Sequence, residues 1–566
     1  MTWGTYAFGT VPWGARGFAP LPAPAAFTSA AQDSVCDAVF LVELQPTTGA
    51  VSAPAYKPLT WGTYAWGTLP YPQPAAGSVR IDLSDRDWTS RPSDTRPNVH
   101  FEGRCEAPQF DRSIPIVPGS GRAAVSIGEL QVVNADGAYD ATPDALAIDA
   151  TPLRISVLPK RSSLYNEAAT VFGGQGLDWW SDREYLHVRM RDAGYLLDVP
   201  LLSLYGGTGG ADGGAELAGK PIRQTYGLCR NVSGDLVNSG LLIYRRHDRL
   251  MQAVDAVYIS GAPVTWDGNV YSSYAALAAA TVASGRYAKW LGSDGSGWRL
   301  GSSPGGTVTA DVRGDAVGGY VDDTAGIIRR IQERGVSTSA LALSSYASMS
   351  AYLPGVIGYC VDSQKNISAA ATEVATAAAC WWGDAGDCLL SVGRLAAPVG
   401  GGLAFGPEQI KDEPEKLTLP DEIGPCVWRV DAGFRRNWTP LPRSDIDSVL
   451  AIGSEQRRQE LAEQSRRIPP VGLVERLSRN ALAKTITIDT LFDNEADAVA
   501  LANNLLTLYQ AGRNLYRIPV GMSGYLARLG DTIQVTWPRY GLAGGKSLRV
   551  VGQRAQGRRV DLLCFG

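Results

Sequence analysis

Histidine is scarce, with three residues in 566. That argues against a site built on imidazole, whether as a metal-ligand set or as an acid–base pair. The eight cysteines stand at 36, 105, 229, 360, 380, 388, 426 and 564, without a Cys-x-x-Cys pair. The close ligand spacing of a zinc site is therefore missing, and buried free thiols are the plain reading. The alternative is an iron–sulfur cluster, which needs four thiolates; Cys360, Cys380, Cys388 and Cys426 are the candidate set, otherwise no cofactor is expected. Long apolar runs are also missing. The alanine-rich run at 275–283 falls short of the roughly 20 residues of a membrane helix. The first residues, MTWGTYAFGT, lack a basic region followed by an apolar one, so no secretory signal is expected there. The reading is of a soluble chain made in a cytoplasm.

Strong charge of either sign is lacking too. A formal net charge of −4 does not suggest a free nucleic-acid binder. The distribution is uneven, however: from Val427 onward 18 Arg and 2 Lys face 13 Asp and Glu. A mixed-sign contact surface accounts for this, and a basic wall facing DNA or another acidic partner is the sharper reading.

What is present is glycine (64), proline (34), Trp (15) and Tyr (23), in a chain that is 45% hydrophobic and 19% charged. Many turns and short strands follow, with a few helices, and the length calls for several domains. The expected fold class is multidomain, β-rich α+β.

The N-terminal segment repeats itself. Trp3-Gly4-Thr5-Tyr6-Ala7-Phe8-Gly9-Thr10 returns as Trp61-Gly62-Thr63-Tyr64-Ala65-Trp66-Gly67-Thr68. Glycines between large aromatics suit extended segments that lay rings on a neighbouring surface. Trp3, Tyr6, Trp61, Tyr64 and Trp66 are thus candidate interface residues on an arm that clasps another subunit, with local packing as the alternative.

Strands are expected at Ala38–Leu44, at several places in 98–158, and around Cys388–Val392. Residues 206–216 read as a flexible glycine loop. Helices are expected near 247–257, 274–284, 322–334 (capped by Asp322 or Asp323) and 366–380. The proline-rich, charged stretch 407–425 reads as a linker, and 444–467 as a solvent-facing helix. Asp493 is expected to cap a helix presenting Val499, Ala502, Leu505, Leu506 and Tyr509, followed by strands at 516–521, 532–537, 548–551 and 560–564. The implied segmentation is an arm (1–80), a β-rich hub domain (81–205), inserted mixed domains (206–405), a linker and helix (406–480), and a C-terminal helix with barrel strands (481–566).

Several motifs come close to chemistry. Gly214–Pro221 has phosphate-loop spacing up to Lys220, but Pro221 stands where a magnesium-holding hydroxyl belongs. Gly541–Ser547 is one residue short, and both read as turns. Asn134–Asp140 lacks the span and terminal Glu of a calcium loop and reads as an Asx turn. Arg313-Gly314-Asp315 is a chance-level match to an adhesion tripeptide. His247-Asp248 suggests a general base, but no nucleophile motif accompanies it. No catalytic set stands out, and an enzyme is not expected.

Four stretches, taken in order, carry a resemblance. They are Gly128–Gly137; Gly219-Lys220-Pro221 through Tyr226-Gly227, Asn231 and His247-Asp248 to Gly261; Gly358-Tyr359 through Trp381-Trp382 to Leu395; and Leu529–Ile533 with Trp537–Leu542 and Arg549–Gly552. In this succession the chain resembles the hub (baseplate-hub) proteins of long-tailed bacteriophages and gene-transfer-agent particles. The resemblance implies small hub-type β-barrels and a homotrimeric ring that closes the distal end of the tail tube. Two similar barrels in each of three subunits would match a sixfold tube. It implies as partners a distal tail protein or tail-tube ring, a tape-measure protein, and a central tail fibre or other baseplate proteins. DNA would be met only in passage, at genome ejection on host contact. Trp537, Arg539 and Tyr540, in the C-terminal stretch, become further interface candidates. Other expectations are a different baseplate protein such as the distal ring, a carbohydrate-binding adhesin that meets a host-surface glycan, and a tail-associated wall hydrolase.

Overall fold

The computed structural model describes residues 24–32, 37–48, 79–119, 125–385, 389–400, 402–447, 450 and 454–566. Both copies of the aromatic repeat, hence Trp3, Tyr6, Trp61, Tyr64 and Trp66, lie outside the described residues, as do Cys36 and Cys388.

The fold is multidomain and β-rich α+β, as the composition indicates. Its largest element is a 13-stranded sheet drawing on both ends of the chain. The path runs from Glu415–Leu417 through Leu515–Val520, Arg559–Phe565 and Lys546–Gln556 to Gln109–Ser113 and Val125–Val133. It continues through Tyr185–Arg191, Ala169–Ser181, Pro152–Leu158 and Val39–Leu44 to Ile81–Ser84. The two halves join where Lys546–Gln556 pairs antiparallel with Gln109–Ser113, Gly552 opposite Ser113 and Gln556 opposite Gln109. The proline-rich stretch 407–425 supplies one edge strand, Glu415–Leu417.

This sheet has two ends in its pairing and is open, yet it curls. Phe40 and Phe110 sit on strands five places apart, and both rings meet Tyr525, at 6.2 and 6.1 Å. Alternation sets the inner face: Leu130 and Val132, Leu186 and Val188, and Ile155 and Val157 all turn into one core. Val39–Leu44 is buried at every position, including Glu43. That carboxylate is held by Arg154 Nε at 2.6 Å, by the Tyr165 hydroxyl at 2.9 Å, and by Arg80 and Arg96. These donors replace the water that the buried carboxylate group has lost.

Residues 224–315, with Gly358–Val361 as one edge strand, build two five-stranded sheets. One carries Gln224–Ser233, Met251–Ile259 and Val308–Asp315; the other carries Ile243–His247, Arg286–Gly292 and Gly295–Leu300. The helix expected at 247–257 is in fact the strand Met251–Ile259. A register shift between Val254 and Ala256 makes its buried residues, Met251, Val254 and Val257, recur every third position, which imitates a helical face. The glycine loop 206–216, expected to be flexible, is closed on Asp212, which accepts from Gly206 N at 2.8 Å and Thr208 Oγ1 at 2.9 Å.

Helices Thr324–Gln332, Leu343–Tyr352 and Ile367–Ala377 share a core with the hairpin Cys380–Asp384/Leu390–Arg394 and with helix Glu495–Tyr509. Asp323 caps the first of these, accepting from Gly326 N at 3.0 Å. Asp493 caps nothing: its carboxylate takes Arg230 at 3.0 Å through both oxygens, and Asn494 holds the N-cap position. Among the described residues of 444–467 the helices are Arg443–Asp447 and Glu455–Ala462, with Ile446 and Leu461 buried rather than facing solvent. Among the described residues no helix is long and apolar enough to cross a membrane.

Candidate functional site

The outward face of the curled sheet is the most distinctive surface. Its strands alternate, so what does not point into the core forms a continuous outer array. Ile127 (54% exposed), Val133 (39%) and Trp180 (37%) lie on that face among charged groups. Arg554 stands opposite Asp111, Asp111 opposite Ile127, and Ile127 opposite Arg191. On the next row Gln109, Glu129, Arg189 and Asp178 face one another in turn, and beside them Gln131, His187 and Trp180.

His187 is the centre of this array. Its ring stacks on Trp180 with centroids 4.8 Å apart and planes 2° from parallel. Nδ1 lies 2.9 Å from Glu129 and Nε2 3.0 Å from Asp182. Two carboxylates on two ring nitrogens favour the doubly protonated ring, and the hydrogen bond to Glu129 is the main cause that raises its pKa above 6.5. Asp182 is correspondingly pulled down to about 2, chiefly by its hydrogen bond with His187. Arg189 lies over the Trp180 ring at 5.1 Å. Sequence reasoning did not select these residues. The signal was there in Tyr-Leu-His-Val-Arg-Met-Arg at 185–191, whose strict alternation marks Tyr185, His187, Arg189 and Arg191 as one face.

The C-terminal candidates form a turn between the strands Thr532–Val535 and Lys546–Gln556. Tyr540 has a φ of +59°, an uncommon backbone state held here by its partners. Its hydroxyl donates to Glu413 at 2.7 Å, and Arg539 Nη1 reaches the same oxygen at 2.6 Å. Arg539 is exposed, whereas Trp537 is half-buried against the core, its backbone N–H donating to Leu542.

The other motifs resolve into structure. His247 is wholly buried. Its Nδ1 accepts from Thr225 N at 3.1 Å, which leaves Nε2 to donate to Asp315 at 3.3 Å. Burial lowers its pKa. Arg334 bridges Asp248 at 2.8 Å and Asp315 at 3.4 Å, so the ring belongs to a buried ion network. Asp315 is itself 1% exposed, which buries the end of Arg313-Gly314-Asp315. In the Asn134–Asp140 turn Tyr139 N donates to Asn134 Oδ1 at 2.7 Å, and Arg104 holds the Asp136 carboxyl down to about 2. Gly214–Pro221 and Gly541–Ser547 are turns closed by backbone bonds, Leu217 N to Gly214 O and Gly545 N to Leu542 O.

Cys360, Cys380 and Cys426 are buried. The Cys360 thiol faces Cys229, and Cys380 donates to the Ala375 carbonyl at 3.4 Å, with burial pushing its pKa up to about 12. Among the described residues no group of three or more His, Cys, Asp or Glu is arranged to hold a metal ion.

No family model and no curated protein matches the sequence. Among solved structures the chain is similar to a tail protein from Neisseria meningitidis, at 10% identity and a TM-score of 0.36, covering 82% of this chain and 92% of that one. It is similar to a chain of the virion of a native gene transfer agent particle, at 11% identity and a TM-score of 0.39, covering 61% and 84%. A 43 kDa prophage tail protein from Shewanella oneidensis is similar at 8% identity and a TM-score of 0.33, covering 81% and 94%.

Proposed function

We propose that this chain is a structural subunit of a phage-type tail, and specifically the hub that closes the distal end of the tail tube, adapts a sixfold tube to a threefold tip and mounts a central fibre. The reading rests on the ordered sequence resemblance and on one structural observation: a curled sheet zipped from the two halves of the chain that turns a broad aromatic and charged face outward. Exposed Trp, Tyr and Arg on rigid strands are what a subunit interface is made of. The proposed assembly is a homotrimer with a distal tail protein or tube ring above it, and tape-measure and fibre proteins as further partners, opening for DNA on host contact. Its proposed place is the tail tip of the virion.

The test uses particles assembled with Arg539→Ala. Arg539 sits on an exposed turn with one ion pair, so the folded chain survives its loss. Tails that stop short of completion are the expected result. Normal particles would remove the C-terminal turn from the interface.

A further inference from the structure

Where the unit at 224–315 meets the arginine-rich segment after Val427, a cavity of about 330 Å³ opens between them. Four guanidinium groups line it, and they come from separate elements. Arg230 is on strand Gln224–Ser233, Arg435 follows strand Val427–Phe434, Arg457 is on helix Glu455–Ala462, and Arg466 begins the short strand beyond it. Each side chain keeps 36–37% of its surface exposed, so these charges are neither buried nor free.

Their local neutralisation is incomplete. Arg230 is well held by Asp493, through two bonds of 3.0 Å, and lies 3.5 Å from Asp311. The other three converge on a single carboxylate, Glu460, at 3.4 Å from Arg435 and 3.5 Å from both Arg457 and Arg466. Strong guanidinium–carboxylate bonds are about 2.7–2.9 Å long. Three long contacts on one carboxylate leave most of the fifteen or so N–H donors of three such groups unspent. Asp311 is already engaged by Asn231 N at 2.8 Å and the Tyr258 hydroxyl at 3.1 Å. Glu463, exposed at the rim, is the remaining acid among the lining residues.

We propose that this cleft binds a small anion bearing carboxylate or phosphate groups, with Arg435, Arg457 and Arg466 as its ligands and Glu460 as the internal group it competes with. Planar forks from three directions suit a multiply charged oxyanion. Such an anion ties the helix carrying Arg457 to Arg435 and Arg466 at the ends of the paired strands Val427–Phe434 and Arg466–Arg467, beside the sheet that carries Arg230. The inference does not depend on the tail reading.

The experiment is isothermal titration calorimetry on the full chain with inorganic phosphate and, separately, with citrate, each against sodium chloride at matched ionic strength. Binding by either beyond the chloride control is expected; phosphate alone marks a phosphoryl ligand and citrate alone a carboxylate one. Arg457→Ala should weaken binding by roughly tenfold or more, with Arg466→Ala as the second variant should the first fail to fold. Glu460→Gln should act in the opposite direction and tighten binding, because it removes the competing carboxylate. No binding beyond chloride in both the wild type and Glu460→Gln, or equal binding by wild type and the arginine variants, would overturn the proposal.

Discussion

Arg554 and Asp111 form an ion pair of 3.0 Å across 443 residues of sequence, at the seam where the last long strand joins the first half of the sheet. The seam's strength lies beneath that pair. Ala555, 1% exposed, stands opposite Phe110 in register and faces the core. Because the pair is exposed, Asp111→Ala should cost no more than about 1 kcal/mol. Ala555→Asp buries an unpaired carboxylate and should cost on the order of 3 kcal/mol or more. Urea midpoints followed by tryptophan fluorescence would show it, and a larger loss from Asp111→Ala would reassign the seam to its charges.

Two histidines should titrate in opposite directions. His187, between Glu129 and Asp182, has its pKa raised, so the folded chain binds more protons than the unfolded one above pH 6.5. Its stabilisation is full below 6.5 and is lost as pH rises through the folded value. His247, lowered by burial, works the other way: its contribution is present above 6.5 and is lost as pH falls toward its folded value. With three histidines in the chain, a histidine-selective NMR titration with His187→Gln and His247→Gln as assignments reads both. The expected order is His187 above 6.5 and His247 below it.

Arg334 should be among the costliest surface-distant side chains to remove. It holds Asp248, which is half-buried, and Asp315, which is buried; against the pull of burial the Arg334 charge lowers the pKa of the first, and the hydrogen bond from His247, then Arg334, lowers that of the second. Arg334→Ala leaves two carboxylates under-compensated, at a cost of roughly 3–5 kcal/mol. The wild-type contribution is present above the unfolded carboxylate range and is lost as pH falls through the lowered folded values. Acid denaturation of the variant should therefore begin at higher pH; an unchanged acid midpoint would count against the network.

Local signals made part of this structure legible. The Asp323 cap, the faces of helices Thr324–Gln332 and Glu495–Tyr509, and most C-terminal strands follow from capping and periodicity, which need only neighbouring residues. Long-range pairing does not. Gln109–Ser113 carries no mark that its partner lies beyond residue 545, and Asp493 gives no sign that Arg230 claims it. Met251–Ile259 misled for a different reason, since its bulge shifts a period of two toward three. For the candidate surface, alternation at 185–191 names the face, but only the register brings Trp180 and Glu129 to His187.

The most direct measurement is the mass of the purified chain in solution, by analytical ultracentrifugation across a wide concentration range. A hub subunit should give a species three times the 60.2 kDa chain, weakened by Trp180→Ala or Ile127→Arg on the outer face. A monomer at every concentration up to the solubility limit, unchanged by those substitutions, would contradict the account.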